Sequence, residues 1–154
     1  MGCHSLKEEE SSLLFLLLAH HETKNLHRTI HIRFLEKDYY LCSRCTGKYV
    51  GMLAVCVSFL LGSHISVWLH LLIMAFFPLP STIDWITQSV GMRESKNWIR
   101  VLTGYLLGIA WGLLFLSLIK GMLHLFLCGI LILATYLASI FIFSWKTGIL
   151  KNLV

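Results

Sequence analysis

Apolar and polar positions vary along this chain on two scales. From Thr29 to Phe34 they alternate residue by residue, with β-branched Thr29, Ile30 and Ile32. That period predicts a strand. Glu36-Lys37-Asp38 then reads as a turn and Tyr39-Tyr40-Leu41 as the returning strand. From Thr46 onward the scale is a whole segment. Apolar stretches cover roughly 46–62, 65–79, 98–119 and 123–145, separated by short polar breaks. Such runs predict membrane-crossing helices, although the first two are short for the ~20 residues a bilayer needs.

Local signals refine the boundaries. Gly62-Ser63-His64 and Lys120-Gly121 mark turns. Pro78 and Pro80 are expected to stop the second span, because proline cannot continue a helix cleanly. Ser81 would then cap a short separate helix, with Asp84 in the capping-box position and Gly91 at its end. Leu13 to Ala19 is apolar but too short to span, and Glu8-Glu9-Glu10 precede it where a signal peptide carries positive charge. It reads as an interfacial helix. Gly47 and Gly51 in the first span, and Gly104, Gly108 and Gly112 in the third, recur every four residues. They give each helix a small-residue face for close contact, within one chain or in an oligomer through GxxxG faces.

The architecture expected is an all-α integral membrane protein of about four transmembrane helices. A short N-terminal interfacial helix and a small cytosolic β-hairpin complete it. It forms one polytopic domain over 1–154: a cytosolic segment 1–45, a bundle 46–145 and a tail 146–154. Composition agrees, with 56% hydrophobic residues, 14% charged and mean hydropathy +0.73. Soluble domains average about 25% charged.

Charge adds orientation. The chain carries 13 Lys and Arg and a net charge of +5, and of these cations only Lys120 falls in a loop on the second side. By the positive-inside rule both termini and the central loop face the cytosol, in the cell membrane. No basic stripe interleaves with aromatics, so nucleic acid is not expected as a partner. The partner expected is the lipid bilayer.

Candidate chemistry lies in two polar segments that this topology puts on one side. The first holds His20, His21, His27, Arg28 and His31, and ends in Cys42-Ser43-Arg44-Cys45. A hairpin ending in CxxC has the shape of half a zinc knuckle, so Cys42 and Cys45 with His20 and His21 are candidate Zn ligands. Plain cysteines at a helix start are the bland alternative, and a thiol redox pair is the third. The second segment runs from Asp84 to Arg100. Asp84 and Gln88 share a helical face. Arg28, Gln88, Arg93, Ser95, Asn97 and Arg100 are candidate ligands for a phosphate or other anion. Asp84 is a candidate base or metal ligand, with His21 as a second catalytic candidate. The bland readings are capping for Asp84 and snorkelling for Arg100.

These blocks resemble a family of small archaeal and bacterial predicted membrane proteins known as a domain of unknown function. The resemblance covers roughly residues 19 to 108. It rests on His20-His21 with Arg28, on Cys42-Ser43-Arg44-Cys45-Thr46-Gly47, and on Asp84, Gln88, Gly91, Arg93, Ser95, Asn97 and Arg100. Ala19 stands where some members carry cysteine, which weakens a metal site here unless a histidine substitutes. The resemblance implies a shared polar site and brings no activity with it. Three functions follow as expectations: a site for a phosphate-bearing lipid or anion, with or without a metal; a non-catalytic scaffold or accessory subunit with a structural zinc hairpin; or a thiol redox protein. Whether the protein is an enzyme stays open at this point.

Overall fold

The computed structural model describes residues 29–34, 37–62 and 64–148. The expected interfacial helix, His20, His21, His27 and Arg28 lie outside the described residues, as does the tail beyond 148.

Two strands, β1 (Thr29–Phe34) and β2 (Lys37–Cys42), pair antiparallel. Five helices follow: α1 (Ser43–Leu60), α2 (Val67–Phe76), α3 (Pro78–Ser89), α4 (Asn97–Ile119) and α5 (Leu123–Lys146). The hairpin forms where alternation predicts it. Lys37 and Asp38, expected in the turn, belong to β2, opposite Phe34 and Arg33. His31 faces Tyr40 across the ladder, and their rings stack at 5.0 Å. Such aromatic cross-strand pairs help a hairpin too small to have a core. The helical bundle begins at Ser43, directly on the last strand residue, rather than at Thr46.

Among the described residues, three segments are long and apolar enough to cross a membrane: Val67–Ser89, Asn97–Ile119 and Leu123–Lys146. The first of these takes in two helices: α2 stops before the prolines as expected, but the span continues beyond them into α3. The chain passes from α2 through Phe77, itself in a helical conformation, into α3, and Pro78 takes the first position of the new helix. Proline is tolerated there because its missing N–H costs least at a helix start. The carbonyl of Ala75, in the turn before the proline, accepts a hydrogen bond from the Tyr136 hydroxyl of α5. Neighbouring helices commonly re-satisfy backbone groups in this way when proline interrupts a membrane helix. Ser81 is therefore no cap. It lies buried inside α3, and Asp84 follows within the same helix.

The bundle is organised by the contact between α1 and α4, which run parallel. Gly47 and Gly51 meet the carbonyls of Val101 and Tyr105, and Gly104 and Gly108 meet those of Arg44 and Lys48. A Cβ at any of the four would overlap a backbone oxygen. Both glycine rows are thus filled by each other within one chain, and an oligomer would have to use other surfaces. Val55, Met74, Leu113 and Leu114 form the core beyond the glycines. Met74 of α2 reaches Gly129 of α5, which ties the last helix on. The outward faces are apolar, including Leu53, Trp68, Leu131 and Leu137. That exposure suits hydrocarbon better than water.

The order of passes places the start of α1, the end of α3 and the start of α4 at one end of the bundle. The α4–α5 turn at Lys120 lies at the other.

Candidate functional site

The site begins with Asp84, one of the most deeply buried side chains described, at 1% exposure. A bare carboxylate at such a position would be costly, and it persists because it is paired and hydrogen bonded. Arg44 Nη2 donates to its Oδ2 at 2.6 Å, and Gln88 Nε2 donates to the same oxygen at 2.7 Å. Arg93 Nη2 lies 3.4 Å from Oδ1. Gln88 in turn accepts from Arg100 Nη2 at 3.0 Å, through Oε1. Arg100 is itself buried, at 4% exposure.

Each member is delivered by a different device. Arg44 projects from the first turn of α1, fixed by the glycine contact with α4. Asp84 and Gln88 sit one turn apart on α3, as their spacing predicts. Gly91, with φ of +74°, turns the chain after α3, which lets Arg93 fold back towards Asp84. Arg100 stands on the first turn of α4. The result is three guanidinium groups arranged around one carboxylate and one carboxamide. Arg44 Nε is buried and has no hydrogen-bond partner among the described residues. Arg93 is half exposed and, among the described residues, makes only the long contact to Asp84.

Of the three remaining members of the expected anion set, Arg28 lies outside the described residues, and Ser95 and Asn97 make contacts outside the arginine cluster. Asn97 Nδ2 donates to the Thr29 carbonyl at 3.2 Å and so fastens the hairpin to α4. Ser95 is buried, and its hydroxyl donates to the neighbouring Lys96 carbonyl at 3.4 Å. Arg44 is the member that reading the sequence for anion ligands passed over. The signal was available: Arg44 lies three and four residues before Gly47 and Lys48, on the helical face that carries the glycine row.

A groove of about 310 Å³ adjoins the cluster. Arg44 stands at its polar end, and its walls include Trp85, Trp111, Leu133, Tyr136 and Leu137 from α3, α4 and α5. Lys48, one turn along α1 from Arg44, places its ammonium 4.8 Å from the Trp111 ring centroid. That distance is within cation–π range.

Cys42 and Cys45 occupy the junction of β2 and α1. Cys42 is the N-cap residue, and its carbonyl accepts from Thr46 Oγ1 at 3.0 Å. The two thiols hydrogen bond to each other. That contact, with burial, holds the Cys45 thiol well above the ordinary cysteine range. Side chains this close can share one metal ion, whose charge would displace the protons. His31 does not join them, and no group of three or more metal-ligand side chains forms among the described residues. The other two candidate ligands, His20 and His21, lie outside the described residues.

No solved structure matches this chain. An uncharacterised protein of the archaeon Methanothermobacter thermautotrophicus (strain Delta H) is similar to it, at 34% identity over 102 residues. That alignment covers 64% of this chain and 91% of the relative. It is therefore a relative of nearly full length with respect to itself. The sequence pattern of residues 21–115, which contains β1, β2, α1 to α3 and most of α4 with the whole Arg44–Asp84 cluster, matches the family described as "Predicted membrane protein (DUF2085)". The chain belongs to that family of predicted membrane proteins.

Proposed function

We propose that this protein is a multi-pass protein of the cell membrane that binds the phosphate-bearing headgroup of a lipid, or a similar anion, at its cytosolic face. The observation that carries the reading is the convergence of Arg44, Arg93 and Arg100 on the single carboxylate of Asp84 and its partner Gln88. Buried or half-buried guanidinium groups in excess over a carboxylate favour a further anion, and Arg geometry suits phosphate oxygens. The adjoining groove supports a lipid as the carrier of that anion, since Arg44 lines it together with mostly apolar walls. The placement of Lys and Arg supports a cytosolic orientation for this end and for both termini.

In this reading Arg44 and Arg93 contact the ligand. Gln88 and Arg100 hold the cluster in register, and Arg28 is a further contact from the segment preceding β1. Asp84 positions the arginines. Both of its oxygens are engaged, so a positioning role suits it better than that of a general base. Ser95 and Asn97 support the loop and the hairpin. Zinc held by Cys42 and Cys45, with His20 and His21, would fasten the hairpin to α1. A metal ion would supply the charge that displaces both thiol protons, which a redox pair would have to lose unaided.

The test is lipid mass spectrometry on protein purified in mild detergent. Wild type should retain an anionic phospholipid at about one per chain, and Arg44→Lys with Arg93→Gln, which leaves Asp84 a counter-charge, should lose it while remaining folded. Unchanged lipid retention in the folded double variant would refute the proposal.

A further inference from the structure

At the Lys120 end of the bundle, far from the arginine cluster, lies a second cavity of about 200 Å³ between α1, α2 and α4. Its walls are mostly apolar, with Val55, Phe59, Ile109 and Leu113 among them. Two basic groups interrupt them. His70, on α2, is 94% buried by exposure of 6%, and its Nε2 has no hydrogen-bond partner among the described residues. Nε2 is thus the unused nitrogen of a buried imidazole. Lys120 lines the same cavity from the α4–α5 turn, and its ammonium stands 4.6 Å from the Phe59 ring centroid.

A buried polar atom without a partner is costly, and native proteins keep few of them. In an apolar cavity within a membrane bundle, the ambient molecule that can reach this nitrogen is an aliphatic chain with a polar head. The head must satisfy two neighbours together: an imidazole nitrogen that accepts a proton, and an ammonium that attracts an anion. A carboxyl group does both with one proton, shared between its oxygen and Nε2, while its oxygens face Lys120.

We propose that this cavity binds a long-chain carboxylic acid, with its head between His70 and Lys120 and its chain along the apolar wall formed by α1 and α2. The site is independent of the arginine cluster. It lies at the opposite end and uses no residue of it.

The test uses the full chain, purified and delipidated in detergent, titrated with the fluorescent fatty acid cis-parinaric acid. One saturable site is expected, displaced by oleic acid and not by methyl oleate, which has neither an acidic proton nor a charge. His70→Leu and Lys120→Gln should each weaken binding about tenfold or more, the loss expected for a charge-assisted hydrogen bond. Ala54→Phe, which fills the cavity, should abolish it. Arg93→Gln should leave it unchanged. Lys120→Gln alters an exposed turn residue, so it remains informative if His70→Leu fails to fold. Three results would overturn the proposal: no saturable binding to folded wild type, equal displacement by methyl oleate, or full binding by folded Lys120→Gln. The first would mean that water alone serves Nε2.

Discussion

Arg44 Nη2 lies 2.6 Å from Asp84 Oδ2, and this contact joins the first turn of α1 to α3 across 40 residues of chain. It is an ion pair with one fully buried partner. Removing one side of such a pair is more damaging than replacing both.

Asp84→Asn should therefore destabilise the protein strongly, by about 3 kcal/mol or more, because the guanidinium groups lose their shared counter-charge. Thermal unfolding in detergent measures this as a large drop in Tm. Arg44→Gln combined with Asp84→Asn should cost less than the sum of the single changes. Additive losses would show that the two side chains are not energetically coupled.

The glycine contact makes a second prediction. At Gly47 or Gly104 a methyl group would meet backbone, which cannot swing aside as a side chain can. Gly47→Ala and Gly104→Ala should each cost about 1–3 kcal/mol, the range for overpacking. Gly112→Ala should cost less, since the nearest atoms to its added methyl belong to the Val55 side chain, at 3.0 and 3.1 Å. Comparing the three midpoints under denaturant tests the ranking.

Asn97 offers a local test. Its amide bonds the Thr29 carbonyl, so Asn97→Ala should release the hairpin from α4 at a cost of about 1 kcal/mol. Hydrogen exchange should then speed up in β1 and β2 and stay unchanged in α5. Equal protection of the hairpin in both proteins would show that other contacts hold it.

The Cys42–Cys45 contact gives a pH dependence in metal-free protein. The Cys45 pKa is raised above its unfolded value of 9.0, so the folded state favours the protonated thiol. Stability from this source is complete below pH 9 and is lost as pH rises towards the folded value. Chelator-treated wild type should therefore lose Tm above pH 9 more steeply than Cys45→Ser. Bound zinc should abolish the difference, because it needs both sulfurs as thiolates.

Tyr136→Phe removes the hydroxyl that serves the Ala75 carbonyl beside the prolines. A loss of about 1 kcal/mol is expected, with faster hydrogen exchange around residues 76–81.

Much of this arrangement could be read from residue patterns. The β-branched alternation of Thr29 to Phe34 marked the hairpin, and the long apolar runs marked α4 and α5. The pairing of Asp84 with Gln88 followed from their spacing. The prolines misled for a specific reason. Pro78 and Pro80 look like a stop in isolation, but Pro78 sits at a tolerated first position and the backbone opened there is served by a tyrosine 61 residues away. No local pattern contains that partner. The roles of Arg44 and Asn97 were hidden similarly. Both depend on what stands opposite in the folded bundle, where Asn97 meets the Thr29 carbonyl of the hairpin.

The parallel α1–α4 contact has a consequence in time. α1 carries Arg44 and Lys48 and is not among the helices apolar enough to cross a membrane unaided. The surface that accommodates it, the glycine row of α4, leaves the ribosome more than fifty residues later. The packing of α1 is therefore complete only after α4 has been made, and a nascent chain cut before Asn97 would lack the glycine row that Gly47 and Gly51 pack against.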